Sequence, residues 1–166
     1  IADFNGPVYL RFGRPKVPNF TTHETGFEVG KGILLNPGTD VTIIATGHLV
    51  WEALKAGEEL EREGIYAEVI NIHTIKPLDE DIILKSIEKT GCLVSAEEHN
   101  YLGGMGESIA GLLALKNPCP IEFVATQDTF GESGTPAQLM SKYGLDKKAI
   151  MNKVASVLKR KLLLNT

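Results

Sequence analysis

VTIIATGHLVWEALKAGEELEREGIYAEVINI, residues 41–72, holds the first full strand–helix–strand passage of the chain. Val41–Ala45 is a continuous β-type run rather than an alternating one, the pattern of a strand covered on both faces. Gly47 ends it, and a helix is expected from about Leu49 to Glu63. Val50, Ala53, Leu54, Gly57 and Leu60 recur at helical spacing and give that helix one apolar face, with Gly64 closing it. Glu58 stands one turn before Arg62, a spacing that suits an ion pair. Glu68–Ile72 is then the next strand.

Working outward, the same alternation continues. Gly32–Leu35 reads as a strand joined to Val41–Ala45 by the turn signal Asn36-Pro37-Gly38, so the first strand should be an antiparallel edge. Downstream, Asp79, Glu80 and Asp81 place carboxylates at the positive end of a second helix, and Gly91 ends it. Cys92–Ala96 and Ile121–Val124 are strands, separated by a third helix carrying Ile109, Leu112 and Leu113. A last helix presents Ile150, Val154, Val157, Leu158 and Leu162 on one face. Buried strands alternating with amphipathic helices predict a three-layer α/β/α sandwich, with a mostly parallel five-stranded sheet and one antiparallel edge strand.

This domain is expected to span residues 26–166. Upstream, Pro7–Phe12 is a short β-type run, and Arg14–Thr22 carries two prolines with no periodicity, as a linker does. A strand with no preceding partner reads as the tail of something larger, so residues 1–25 are assigned to the end of a preceding domain and a linker. A chain of 166 residues and 18.0 kDa can bury one core of proper size. Its net charge of −4 argues against nucleic acid or an anionic membrane as the main partner. No apolar stretch is long enough to cross a bilayer. Cys92 and Cys119 form neither a CxxC nor a metal spacing and read as buried thiols of a reducing, cytoplasmic compartment.

Five signals could carry chemistry. EEHNYLGGMGES, residues 97–108, sets two carboxylates and a histidine before three glycines. Its glycines could cradle a phosphate between a strand and a helix, yet Ile109 stands where GxGxxG needs glycine, and Glu107 would repel an anion from the first helical turn. Glu97, Glu98 and His99 are adjacent, so neighbours point to opposite faces and make a poor metal set. The preferred reading is a close backbone turn with solvated or interface carboxylates. Gly131-Glu132-Ser133-Gly134-Thr135 misses the nucleophile elbow because Thr135 stands at its final glycine. His23, His48, His73 and His99 are scattered and form no metal motif. Lys147, Lys148, Lys153, Lys159, Arg160 and Lys161 make the last helix basic, which reads as a solvated face. Arg11 and Arg14 end the first β-type run, and Pro15 holds Arg14 extended. The planar fork of an arginine there suits a phosphate or carboxylate.

Taken together, GPVYLRFGRPKVP, GTDVTIIATG, INIHTIKPLDEDII, SAEEHNYLGGMGESIA and DTFGESGTPAQLMSKYGL resemble successive landmarks of the C-terminal part of a transketolase, in order and over nearly the whole chain. GPVYLRFGRPKVP is similar to the closing strand of that family's pyrimidine-binding domain. FGRPKVP and FGESG favour transketolase over its relatives, deoxyxylulose-phosphate synthase and the β subunit of 2-oxoacid dehydrogenases. The resemblance implies transfer of a two-carbon ketol unit between sugar phosphates of the pentose phosphate pathway, with thiamine diphosphate and Mg²⁺ in a homodimeric enzyme. It also implies that Arg14 contacts the substrate phosphate; the serine common before that arginine is Gly13 here. The GDG-and-asparagine pattern that holds Mg²⁺ and the diphosphate is missing, as is the glutamate that activates the thiamine ring. The chain is therefore expected to be inactive alone and to need the remaining transketolase domains or an N-terminal subunit as its partner. The competing expectations are the C-terminal domain of a related thiamine-diphosphate enzyme, either deoxyxylulose-phosphate synthase or the β subunit of a 2-oxoacid dehydrogenase, and a free-standing dimerisation or regulatory module.

Overall fold

A computed structural model describes residues 3–11 and 17–164. In chain order its elements are β1 (Ile33–Asn36), β2 (Val41–Ala45), α1 (Leu49–Arg62), β3 (Ala67–Asn71), α2 (Glu80–Thr90), β4 (Leu93–Asn100), α3 (Met105–Lys116), β5 (Ile121–Thr126), α4 (Pro136–Lys142) and α5 (Lys147–Leu164). The strands form one sheet in the order β1-β3-β2-β4-β5, parallel except for β1.

The antiparallel edge is as expected, but its partner is not the strand the short turn suggested. β1 pairs with β3, which lies between β1 and β2. The turn crosses the start of β3 so closely that a Cβ at Gly38 would stand 2.2 Å from the Ala67 carbonyl carbon. Both the Thr39 and Asp40 amides donate to the Tyr66 carbonyl at 3.0 Å, which fixes the crossing.

Alternate residues of the central strand serve two cores. Val41, Ile43 and Ala45 meet Leu49, Val50, Ala53 and Leu60 of α1 and Ile150, Val154 and Val157 of α5. Ile44, with Ile70 and Ile72, meets Ile83 and Ile87 of α2 and Met105, Ile109 and Leu113 of α3. The one hydroxyl in that strand is satisfied inside: Thr42 Oγ1 lies 2.6 Å from both Ser86 Oγ and Thr90 Oγ1 of α2. Unpaired, such a buried group would be destabilising.

Four sequence readings change. Residues 7–11 of the Pro7–Phe12 run form no strand, since they pair with no strand among the described residues; Phe12 lies outside these. Arg62 binds Glu59 at 3.2 Å in place of Glu58. Leu162 is exposed because the buried stripe of α5 ends at Val157, with Leu158 partly covered. Nor is the basic face of α5 merely solvated. Lys153 and Arg160 both reach Glu122 on β5, at 2.9 and 3.0 Å, and Lys147 reaches Glu59 on α1 at 3.2 Å. Burial alone would raise the Glu122 pKa; hydrogen bonds from Lys153 and Arg160 outweigh it and hold the carboxyl below its ordinary value. Cys92 and Cys119 are free thiols, and burial pushes Cys92 up to about 11, against the opposing charge of Lys161.

Candidate functional site

A cleft of about 1050 Å³ opens at the carboxyl ends of the parallel strands. Thr46, Gly47 and His48 follow β2, Glu97–His99 end β4, and Thr126 ends β5; all line it. After β2 the chain moves to β3 on one side and later to β4 on the other, so β2 and β4 flank the switch point where α/β sheets form their binding crevices. Across that point His48 Nδ1 and a Glu98 oxygen are 2.8 Å apart. The far wall is Gly131, Glu132 and Gly134 with α4, and Arg11, Val17 and Pro18 of the entering segment complete the rim.

The glycine stretch has a physical purpose here that its sequence did not disclose. β4 runs on to Asn100, four residues past its expected end, and carries Glu97 inward. α3 begins behind Gly104, which has no side chain with which to cap it. The Glu97 carboxylate takes that role instead, accepting from the Met105 amide at 2.8 Å and the Gly106 amide at 2.9 Å. An anion at a helix N-terminus is stabilised by those amides and by the helix dipole. Glycine is required because of the close approach: a Cβ at Gly104 would lie 2.5 Å from Glu97 Oε1, and one at Gly106 would lie 2.5 Å from the Phe123 ring. The expected solvated or interface carboxylates are thus corrected at Glu97, which is only 3% exposed. Glu98 remains largely exposed, and Glu107 accepts from the Gly103 amide at 2.7 Å.

Arg14, assigned to substrate phosphate by resemblance, lies outside the described residues. Arg11 reaches the cleft, as do His48 and His99, whereas His73 stacks on Phe27 with ring centroids 4.4 Å apart. Ser133 sits in an exposed loop that ends in a helix cap at Thr135, so the serine is held by no strand-to-helix elbow. That helix, α4, went unread in the sequence. Its signal was Thr135-Pro136-Ala137-Gln138, a capping box with proline at the first turn.

The glycine-flanked helix terminus already holds Glu97, and among the described residues no three His, Cys, Asp or Glu side chains are grouped to hold a metal. The family model described as transketolase, C-terminal domain, matches residues 30–150. The chain belongs to the transketolase C-terminal-domain family. It is 44% identical, over 97% of its length and 50% of the relative's, to the 6-deoxy-6-sulfo-D-fructose transketolase subunit SqwH of Clostridium sp. (strain MSTE9). It is 40% identical to a putative transketolase C-terminal section of Methanocaldococcus jannaschii, over 96% of this chain and 51% of that one. A solved structure described as "Split gene transketolase, inactive beta4 tetramer" matches with TM-score 0.91 and 41% identity, over 96% of this chain and 52% of that one. The transketolase C-terminal-domain chain thus spans about half the length of these relatives, which belong to a thiamine-diphosphate-dependent family.

Proposed function

We propose that this chain is the C-terminal portion of a transketolase, acting with the remaining transketolase domains or an N-terminal subunit, which bind thiamine diphosphate and Mg²⁺. The complete enzyme transfers a two-carbon ketol unit between sugar phosphates, in the cytoplasm and as a homodimer. The observation that carries the reading is the near-complete match of this chain to half of each of several transketolase subunits. The cofactor supplies the carbanion chemistry when bound; this chain contributes the carboxyl-end rim of its sheet and the segment around Arg14. The related structure, a chain about twice this length described as an inactive β4 tetramer, agrees with a C-terminal portion that is not active alone.

Arg14 is the residue assigned to substrate. In the complete enzyme, Arg14→Ala should raise KM for phosphorylated sugars by roughly 10- to 150-fold, the effect of losing a charge-assisted hydrogen bond worth about 1.5–3 kcal/mol. KM for unphosphorylated sugars should stay near its original value. Equal losses on both classes of substrate would remove the assignment, and absence of ketol transfer by the complete enzyme would remove the reading itself.

A further inference from the structure

The loop after β5, residues 127–135, holds a phenylalanine almost wholly in water: Phe130 is 99% exposed. Exposed aromatics at the tips of mobile loops need no explanation, but this loop is pinned along its length. Asn100 Nδ2 donates to Asp128 Oδ1 at 2.9 Å, and the Tyr143 hydroxyl donates to the Phe130 carbonyl at 3.2 Å. Lys142 binds Glu132 at 2.6 Å, and the Thr135 capping box anchors the far end. Asp128 sits at φ 50°, a left-handed conformation that aspartate adopts more readily than most non-glycine residues, and its carboxylate is held there by Asn100. These bonds hold the backbone of the loop, and the Phe130 ring stands in water instead of on the core. Aromatic anchors held this way are the usual centres of binding surfaces.

Its surroundings extend the patch. Leu102, 46% exposed, stands on the adjacent β4–α3 loop, whose Asn100 ties to Asp128 and receives the Leu102 amide at 3.0 Å. Across the cleft, Arg11, Val17 and Pro18 lie on the segment through which the chain enters, and Tyr9 and Leu10 beside them are exposed. On the functional reading above, a preceding domain joined through that segment would be tethered at this same rim, and a short tether gives the surface a high effective concentration of its partner.

We propose that Phe130 and Leu102 form the docking surface for the cofactor-binding part of the enzyme, which approaches over the carboxyl ends of the strands. The occupant's identity rests on the functional reading above; the position of the surface rests on the geometry of the two loops.

The test compares amide hydrogen exchange of the 166-residue chain with that of the complete, thiamine-diphosphate-loaded protein. Residues 100–103 and 127–135 should slow at least tenfold in the complete protein, and Phe130→Asp should reverse that protection, speeding their exchange by roughly 10- to 100-fold. Leu115→Asp, an exposed change on α3 away from this rim, should leave it in place. Calorimetric binding of thiamine diphosphate separates the two ways of failing. If the cofactor binds while these loops exchange as fast as in the chain alone, the docking surface is refuted and the functional reading stands. If no cofactor binds, the functional reading fails and the named occupant falls with it. Protection that appears in the chain alone and grows with its concentration would make a second copy the occupant and overturn the proposal.

Discussion

Two loops leave neighbouring strands at the same end of the sheet and use their polar groups in opposite directions. The β4–α3 loop turns inward: Glu97 is buried and caps α3, and Gly104 and Gly106 let backbone and core approach closely. The β5–α4 loop turns outward: its hydrogen bonds hold it in place, and Phe130 faces water. By composition the inward loop resembles a catalytic motif, yet it is a structural brace. The outward loop has the composition of an ordinary glycine-rich connector, yet it carries the surface best suited to recognition. Residue type therefore misleads unless burial is known, because a carboxylate is chemistry only where something can reach it.

The largest effect that could break this contrast is at Glu97. Glu97→Ala should destabilise the fold by roughly 2–4 kcal/mol, because it leaves the buried Met105 and Gly106 amides without their acceptor. Denaturant unfolding measures it directly. Glu97→Gln, which keeps an acceptor oxygen, should recover part of the loss. A Glu97→Ala protein of unchanged stability would mean that the glutamate is not a brace, and the inward loop would again be a functional candidate.

Gly106→Ala should follow. The added methyl meets the Phe123 ring at 2.5 Å and Ser95 Oγ at 2.6 Å, and overpacking of that kind costs about 1–3 kcal/mol. Better helix propensity returns up to about 1 kcal/mol of it. A net loss of roughly 1–2 kcal/mol in the same unfolding experiment sharpens the comparison, since Gly131 in the outward loop has nothing within 4 Å of the same position.

The parts of the molecule legible in its sequence are those governed by local period. Val41–Ala45 and the α1 face from Val50 to Leu60 announce burial on both sides of a sheet, and the structure buries them so. Strand order was not legible in the same way: Asn36-Pro37-Gly38 has the composition of a hairpin turn, and only the contact of Gly38 with Ala67–Glu68 shows that β3 lies between the two strands. The role of Glu97 is another contact across the sequence, eight residues from the Met105 amide, and periodicity carries no trace of it. Family landmarks located the loop without explaining it. The cleft itself joins the ends of β2, β4 and β5 with the entering segment, so no single stretch of sequence could have outlined it.

The smallest effect is also the one that separates the loops most cleanly. Thr135 caps α4 much as Glu97 caps α3: its hydroxyl accepts from the Gln138 amide, and Gln138 Oε1 accepts from the Thr135 amide at 3.1 Å. Losing such a cap typically removes about 1 kcal/mol. α3, however, sends Met105, Ile109 and Leu113 into the core, whereas α4 has no buried residue. Thr135→Ala should therefore loosen residues 136–142 alone, seen as faster amide exchange there, while global unfolding shifts by under about 0.5 kcal/mol as for surface changes generally. If instead Thr135→Ala lowered global stability as much as Gly106→Ala, the outward loop would be part of the core's support, and its exposed Phe130 would be better explained by folding than by binding.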